Sequence, residues 1–149
     1  METILVVDDE PDVRDLAREV LVARGYEVLE AGDGDEALRV AEAHPAPIHL
    51  LLTDVVMPRL NGVELARQLT QLRPDTKVLY MSGFLVVGAG QHATAGGLSL
   101  EPGTPILAKP FSTDALARKV HEVLERPTPP RSPFSRSRPR SDPWGPGAA

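Results

Sequence analysis

The sequence predicts an α/β fold, a doubly wound (βα)5 sandwich on a five-stranded parallel sheet. Two observations carry this: short apolar runs recur along the chain, and segments with helical periodicity separate them. Runs that are apolar throughout suit strands buried on both faces. In an alternating β–α chain that means parallel strands, right-handed crossovers and helices on each side.

The first run is Thr3–Val7, and similar runs recur at 26–30, 48–53, 77–81 and 104–108. Helical spacing appears in Val13, Leu16, Ala17, Val20 and Leu21, then in Ala37, Leu38 and Ala41, then in Val63, Leu65, Ala66 and Leu69. It returns at 112–125 with Leu116, Val120, Val123 and Leu124. Gly25 after the first helix, Asp33 before the second, and Ser112 before the last, with Asp114 in its first turn, are the expected end signals. The fourth helical segment is abnormal. Gly83, Gly88, Gly90, Gly96 and Gly97 crowd it, and each glycine costs a helix roughly 1 kcal/mol against alanine. The expectation for 84–97 is a short, frayed or partly irregular helix, and no Asp, Glu, Lys or Arg occurs from Val78 to Leu100.

A chain of 149 residues, 42% hydrophobic and 25% charged, has room for one domain with a full core. After Arg126 the composition changes: residues 127–149 hold seven prolines, four serines and four arginines. Such a segment cannot bury enough apolar surface to fold, so a domain at 1–126 and a disordered tail at 127–149 are expected. Four arginines against Asp142 give the tail +3, and the total of −5 then leaves −8 for residues 1–126. A surface that acidic repels a phosphate backbone, so no direct nucleic-acid partner is expected. No apolar run approaches the ~20 residues of a membrane span, and no basic leader precedes the first strand, so no membrane partner and a cytoplasmic location are expected. The absence of cysteine excludes disulfides and thiolate chemistry, and His44, His49, His92 and His121 lack close metal-ligand spacing.

In an open α/β sheet, ligands bind beyond the carboxyl ends of the strands. The first strand runs into Asp8-Asp9-Glu10, the third into Asp54, the fourth into Ser82-Gly83 and the fifth into Lys109-Pro110. Each is ordinary alone, as a helix cap or a turn; their convergence from four strand ends is not. Clustered carboxylates need a cation or a raised pKa to persist at neutral pH. An all-oxygen donor set with few protein ligands favours magnesium (Mg2+) over calcium, with water and phosphate completing the shell. A lysine can pair with a phosphoryl oxygen, and a serine hydroxyl can donate to another. Those are the parts needed for phosphoryl transfer to a carboxylate.

Val6-Val7-Asp8-Asp9-Glu10-Pro11, Leu52-Thr53-Asp54-Val55-Val56-Met57-Pro58 with Asn61-Gly62, Met81-Ser82-Gly83, and Lys109-Pro110-Phe111 resemble the receiver domain of two-component response regulators over residues 3–125. The wording is most similar to receivers attached to hybrid sensor histidine kinases. The resemblance implies a flavodoxin-like receiver fold and a phosphorelay function, with Asp54 accepting a phosphoryl group from the phosphohistidine of a histidine kinase or phosphotransfer protein. It implies Asp9 and Asp54 as magnesium ligands, Asp8 acting through water, and the backbone carbonyl of Val56 as a further ligand; manganese (Mn2+) would serve too. Lys109 would pair with the phosphoryl group and Ser82 would be the switch hydroxyl. Pro110 would follow a cis bond, and Val56 and Phe84 would flank the site. A downstream protein partner would bind through residues 84–106. Such a domain assists its own phosphorylation and dephosphorylation and is not an enzyme. Two alternatives stand beside it: a receiver segment acting within a hybrid kinase, and an aspartate-nucleophile phosphatase. The latter usually wants an acid two residues after the nucleophile, where this chain has Val56. One departure concerns the switch: three residues before Lys109, where many receivers carry Tyr or Phe, stands Ile106.

Overall fold

A computed structural model describes residues 1–83, 85–87, 93–95, 98–100 and 103–126. Phe84 and the tail at 127–149 lie outside the described residues. The chain runs β1 (Thr3–Val7), α1 (Pro11–Ala23), β2 (Glu27–Ala31), α2 (Gly34–Ala43), β3 (Leu50–Asp54), α3 (Gly62–Leu72) and β4 (Lys77–Ser82). Three short strands follow, β5 (Leu85–Val87), β6 (Ala93–Ala95) and β7 (Leu98–Leu100), and then β8 (Ile106–Ala108) and α4 (Thr113–Glu125). The main sheet has the order β2-β1-β3-β4-β8, parallel throughout. No described helix is long and apolar enough to cross a membrane.

The two faces of the sheet divide by residue parity, because successive side chains of a strand point opposite ways. Leu5, Val7 and Leu51 pack with Ala37, Ala41, Leu65 and Leu69 of α2 and α3. Ile4, Val6, Leu50 and Leu52 pack with Ala17, Leu21, Leu116 and Val120 of α1 and α4. Every residue of β1 and β3 is buried, and each fully buried leucine there contributes roughly 2 kcal/mol. Caps set the helix starts. Asp33, Asn61 and Ser112 accept hydrogen bonds from the backbone N–H of Glu36, Glu64 and Ala115 at 2.8, 2.9 and 3.0 Å. Gly25, at φ 94°, supplies the left-handed turn after α1.

The expected fourth helix is replaced by a second, antiparallel sheet. Its order is β5-β6-β7, with Leu85 opposite Ala95 and Ala95 opposite Leu98. The physical reason lies in the same glycines that weaken a helix: in sequence Gly83 precedes the run Leu85-Val86-Val87, Gly88 and Gly90 separate it from Ala93-Thr94-Ala95, and Gly96 and Gly97 separate that from Leu98-Ser99-Leu100. The β-branched residues of those runs suit strands. Leu100, at the end of β7, is buried in the core face shared by α2 and α3.

Candidate functional site

The strand order reverses between β1 and β3: the chain leaves β1 for β2 on one side and returns to β3 on the other. A crevice at such a switch point is where an open α/β sheet binds ligands. Asp8 follows β1 and Asp54 ends β3, so both carboxylates stand at that point. Across the sheet, Lys109 follows β8, and its backbone N–H donates to the carbonyl of Ser82 at 2.8 Å, tying the ends of β4 and β8 together. The Lys109–Pro110 peptide bond is cis.

The ammonium of Lys109 gathers the acids. Its Nζ lies 2.8 Å from Asp8 Oδ2, 3.2 Å from Asp54 Oδ2 and 3.2 Å from Glu10 Oε1. Side-chain exposure is 0% for Asp8, 10% for Asp54, 13% for Lys109 and 62% for Glu10, so only the Glu10 contact faces water. The second oxygen of Asp8 accepts from the Glu10 N–H at 2.9 Å, and that of Asp54 from the Val56 N–H at 3.4 Å. Burial raises the pKa of Asp8 above the ordinary carboxylate value, with the lysine hydrogen bond pulling against it. Burial likewise raises Asp54, opposed by the charge of Lys109 and reinforced by that of Asp8. For Lys109 burial alone would lower the pKa, but the two carboxylates outweigh it and the net direction is up.

Among the described residues, Asp8, Glu10 and Asp54 each offer one carboxylate oxygen to a group of three that lie within 4.8 Å of one another. Hard oxygen donors at that spacing, two of them short of solvation, fit a divalent cation such as magnesium. Asp9, adjacent in sequence, is exposed and stands outside that group. Ser82 is buried at the end of β4, and Val56 is exposed at the mouth of the site. Phe84, the other flanking residue of the sequence reading, lies outside the described residues.

Behind the acids the backbone is packed tightly. A Cβ on Gly62, the first residue of α3, would stand 2.1 Å from the carbonyl oxygen of Asp54, so glycine is what lets α3 start against the strand end. The connecting loop passes through Arg59 at φ 66°, a left-handed conformation that costs a non-glycine residue roughly 1 kcal/mol. Sequence reasoning gave no role to Glu10, Arg14 or Arg59. The acidic run was a usable signal for Glu10; nothing in the residue type of Arg59 announces its backbone conformation.

Comparison with known proteins fits this geometry. The signature of the response regulator receiver domain matches residues 4–121. Sensor kinase CckA of Brucella abortus is 38% identical over 124 residues, which are 83% of this chain and 13% of that kinase. Response regulator receiver protein CpdR of the same organism is 32% identical over 83% of this chain and 98% of its own length. The crystal structure of the receiver domain from hybrid histidine kinase CckA superposes with a TM-score of 0.66 at 37% identity, covering 83% of this chain and 99% of that one. The chain spans only a small part of the kinase, so that protein's activity as a whole is not carried over. With the acids and the lysine at the switch point of a parallel sheet, and the receiver signature running along most of its length, the chain belongs to the response regulator receiver domains, the signalling modules of two-component phosphorelay systems.

Proposed function

We propose that Asp54 accepts a phosphoryl group from the phosphohistidine of a histidine kinase or phosphotransfer protein, and that the modified state controls a protein partner. The observation that carries this reading is the buried ammonium of Lys109 between Asp8 and Asp54, at 2.8 and 3.2 Å. In the transfer, a carboxylate oxygen of Asp54 bonds to phosphorus as the P–N bond breaks, and the bonding pair stays on the imidazole nitrogen. Lys109 follows the new negative charge onto a phosphoryl oxygen, and the Ser82 hydroxyl donates to another. Magnesium or manganese, when bound, neutralises charge between the carboxylates and the phosphoryl group. Asp9, Asp54 and the Val56 carbonyl would hold it, with Asp8 acting through water. The chain contributes these groups to its own phosphorylation and dephosphorylation and turns over no external substrate. Val56 and Phe84 would limit access of water to the acyl phosphate, and residues 84–106 would carry the partner surface. The likeness to the CckA receiver supports a second setting for the same chemistry, as a segment acting within a hybrid kinase.

Acetyl phosphate with magnesium should add one labile phosphoryl group to the wild type and none to Asp54→Asn, read by intact mass. Stoichiometric labelling of Asp54→Asn would overturn the assignment. The metal ligands are tested separately by calorimetry. Asp9→Asn should weaken magnesium binding by at least about tenfold, the lower bound for losing even an outer-sphere partner. Unchanged affinity in Asp9→Asn together with a loss in Glu10→Gln would move the ion onto the Asp8, Glu10 and Asp54 group.

A further inference from the structure

The edge strand β2 ends without a reactive group, yet both acid-bearing loops of the site are fastened nearby, one to the end of that strand and the other to the start of α2 beyond it. Arg14, on α1, donates from Nη1 to the backbone carbonyl of Asp8 at 2.7 Å, and its Nε lies 3.7 Å from Glu30 Oε1 at the end of β2. Arg59, in the loop that follows Asp54, places Nη2 at 2.9 Å from Asp33 Oδ2 and Nε at 3.8 Å from Asp35 Oδ2. Asp33 meanwhile caps α2 with its other oxygen. Leu60 closes the same junction: a Cβ on Gly34 would come within 2.7 Å of its Cδ2.

We propose that Arg14 and Arg59 are positioning residues that tether the β1–α1 and β3–α3 loops to residues 30–35, and so fix the spacing of the carboxylates between them. An ion pair as exposed as that of Arg59, whose side chain is 65% accessible, contributes little to overall stability. Its consequence is local, because it restrains a loop held in a left-handed conformation that arginine does not favour. Outer-sphere groups of this kind govern how well a metal site is preorganised. The metal part of the inference rests on the reading of Asp54 above; the tether itself does not.

A tether and a bare charge predict opposite signs. As a charge alone, each arginine repels a divalent cation, so its removal would tighten magnesium binding. Its removal would also slow base-catalysed amide exchange nearby, since a positive charge attracts hydroxide. As a tether, its removal loosens the loop, weakening the metal and speeding exchange. The full-length chain is therefore compared with Arg14→Met, Arg14→Lys and Arg59→Ala. Metal-free amide hydrogen exchange is read at Glu10, whose N–H bonds to Asp8 Oδ1, and at Gly62, whose N–H bonds to the Val55 carbonyl. Arg14→Met should speed exchange at Glu10 and Arg59→Ala at Gly62, with Val6 in the buried strand unchanged. Magnesium affinity should fall about tenfold in each, and Arg14→Lys, which keeps a donor, should recover part of it. Exchange that is unchanged or slower at both amides, or tighter magnesium binding, would overturn the tether. A wild type that binds no magnesium, with exchange still responding as expected, would uphold the tether and overturn the metal reading of the site.

Discussion

Gly62→Ala is expected to cost roughly 3 kcal/mol or more, a large fraction of the ~5–15 kcal/mol that holds a domain of this size together. The new Cβ would stand 2.1 Å from the Asp54 carbonyl oxygen, 3.0 Å from its carbonyl carbon and 3.0 Å from Val55 Cα. All three are backbone atoms at the end of β3, which is paired with β1 and β4 on either side. No rotamer change relieves the contact. Either α3 moves away from the sheet, giving up the packing of Leu65 and Leu69, or the end of β3 moves and carries Asp54 with it. Gly34→Ala is the control. Its new Cβ would stand 2.7 Å from Leu60 Cδ2, which can rotate away, and 2.9 Å from Leu60 Cβ, which moves only with the backbone of its loop; a loss of about 1–2 kcal/mol, smaller than that of Gly62→Ala, is expected because a loop shifts more readily than a paired strand. Urea denaturation of both variants measures the difference. A loss under about 1 kcal/mol for Gly62→Ala would mean that the junction of β3 and α3 yields more readily than its packing indicates.

The parallel sheet was legible because buried strands declare themselves: β1 and β3 are mostly apolar, with Thr3 and Thr53 as buried exceptions, and carry reactive groups only where they end. The convergence of Asp8, Asp54 and Lys109 followed from the same rule, since strand ends in this topology meet on one rim. The irregular helix expected at 84–97 was a misreading because periodicity over three-residue runs does not separate a strand from a weak helix. Glycine spacing and Val86-Val87 favoured strands there, a weighting the helical alternation elsewhere in the chain obscured. Strand starts were also set early: β3 begins at Leu50 rather than 48 and β8 at Ile106 rather than 104. The Arg14 and Arg59 contacts were out of reach for a different reason. They depend on which residues face each other across loops of irregular backbone, and no period or composition encodes that.

Lys109→Met should destabilise the chain by roughly 3–5 kcal/mol at neutral pH, the range for removing one partner of a buried ion pair. The substitution keeps most of the apolar stem and removes only the ammonium, so the loss reports the charges of Asp8 and Asp54 left behind. Its pH dependence gives the sharper test. Both carboxyls have folded pKa values above the ordinary 3.8, so over that interval the folded state binds more protons than the unfolded chain. Stability from these groups therefore falls as pH rises through their folded pKa, and is recovered as pH falls back toward 3.8. In the wild type Lys109 limits that rise. Its own pKa is raised, so its contribution is complete below 10.5 and is lost only as pH climbs through the folded value. Without it the two carboxyls rise further, the neutral-pH deficit grows, and acidification should close it. Magnesium at about 100 times its Kd should restore about 2.7 kcal/mol, because a divalent ion relieves the same repulsion and no ammonium competes for the oxygens. Urea titrations from acid to neutral pH, with and without magnesium, measure all three effects. A deficit of equal size at every pH and insensitive to magnesium would show instead that the loss comes from how the methionine fits at this position, and that the acids are solvated well enough to do without the ammonium.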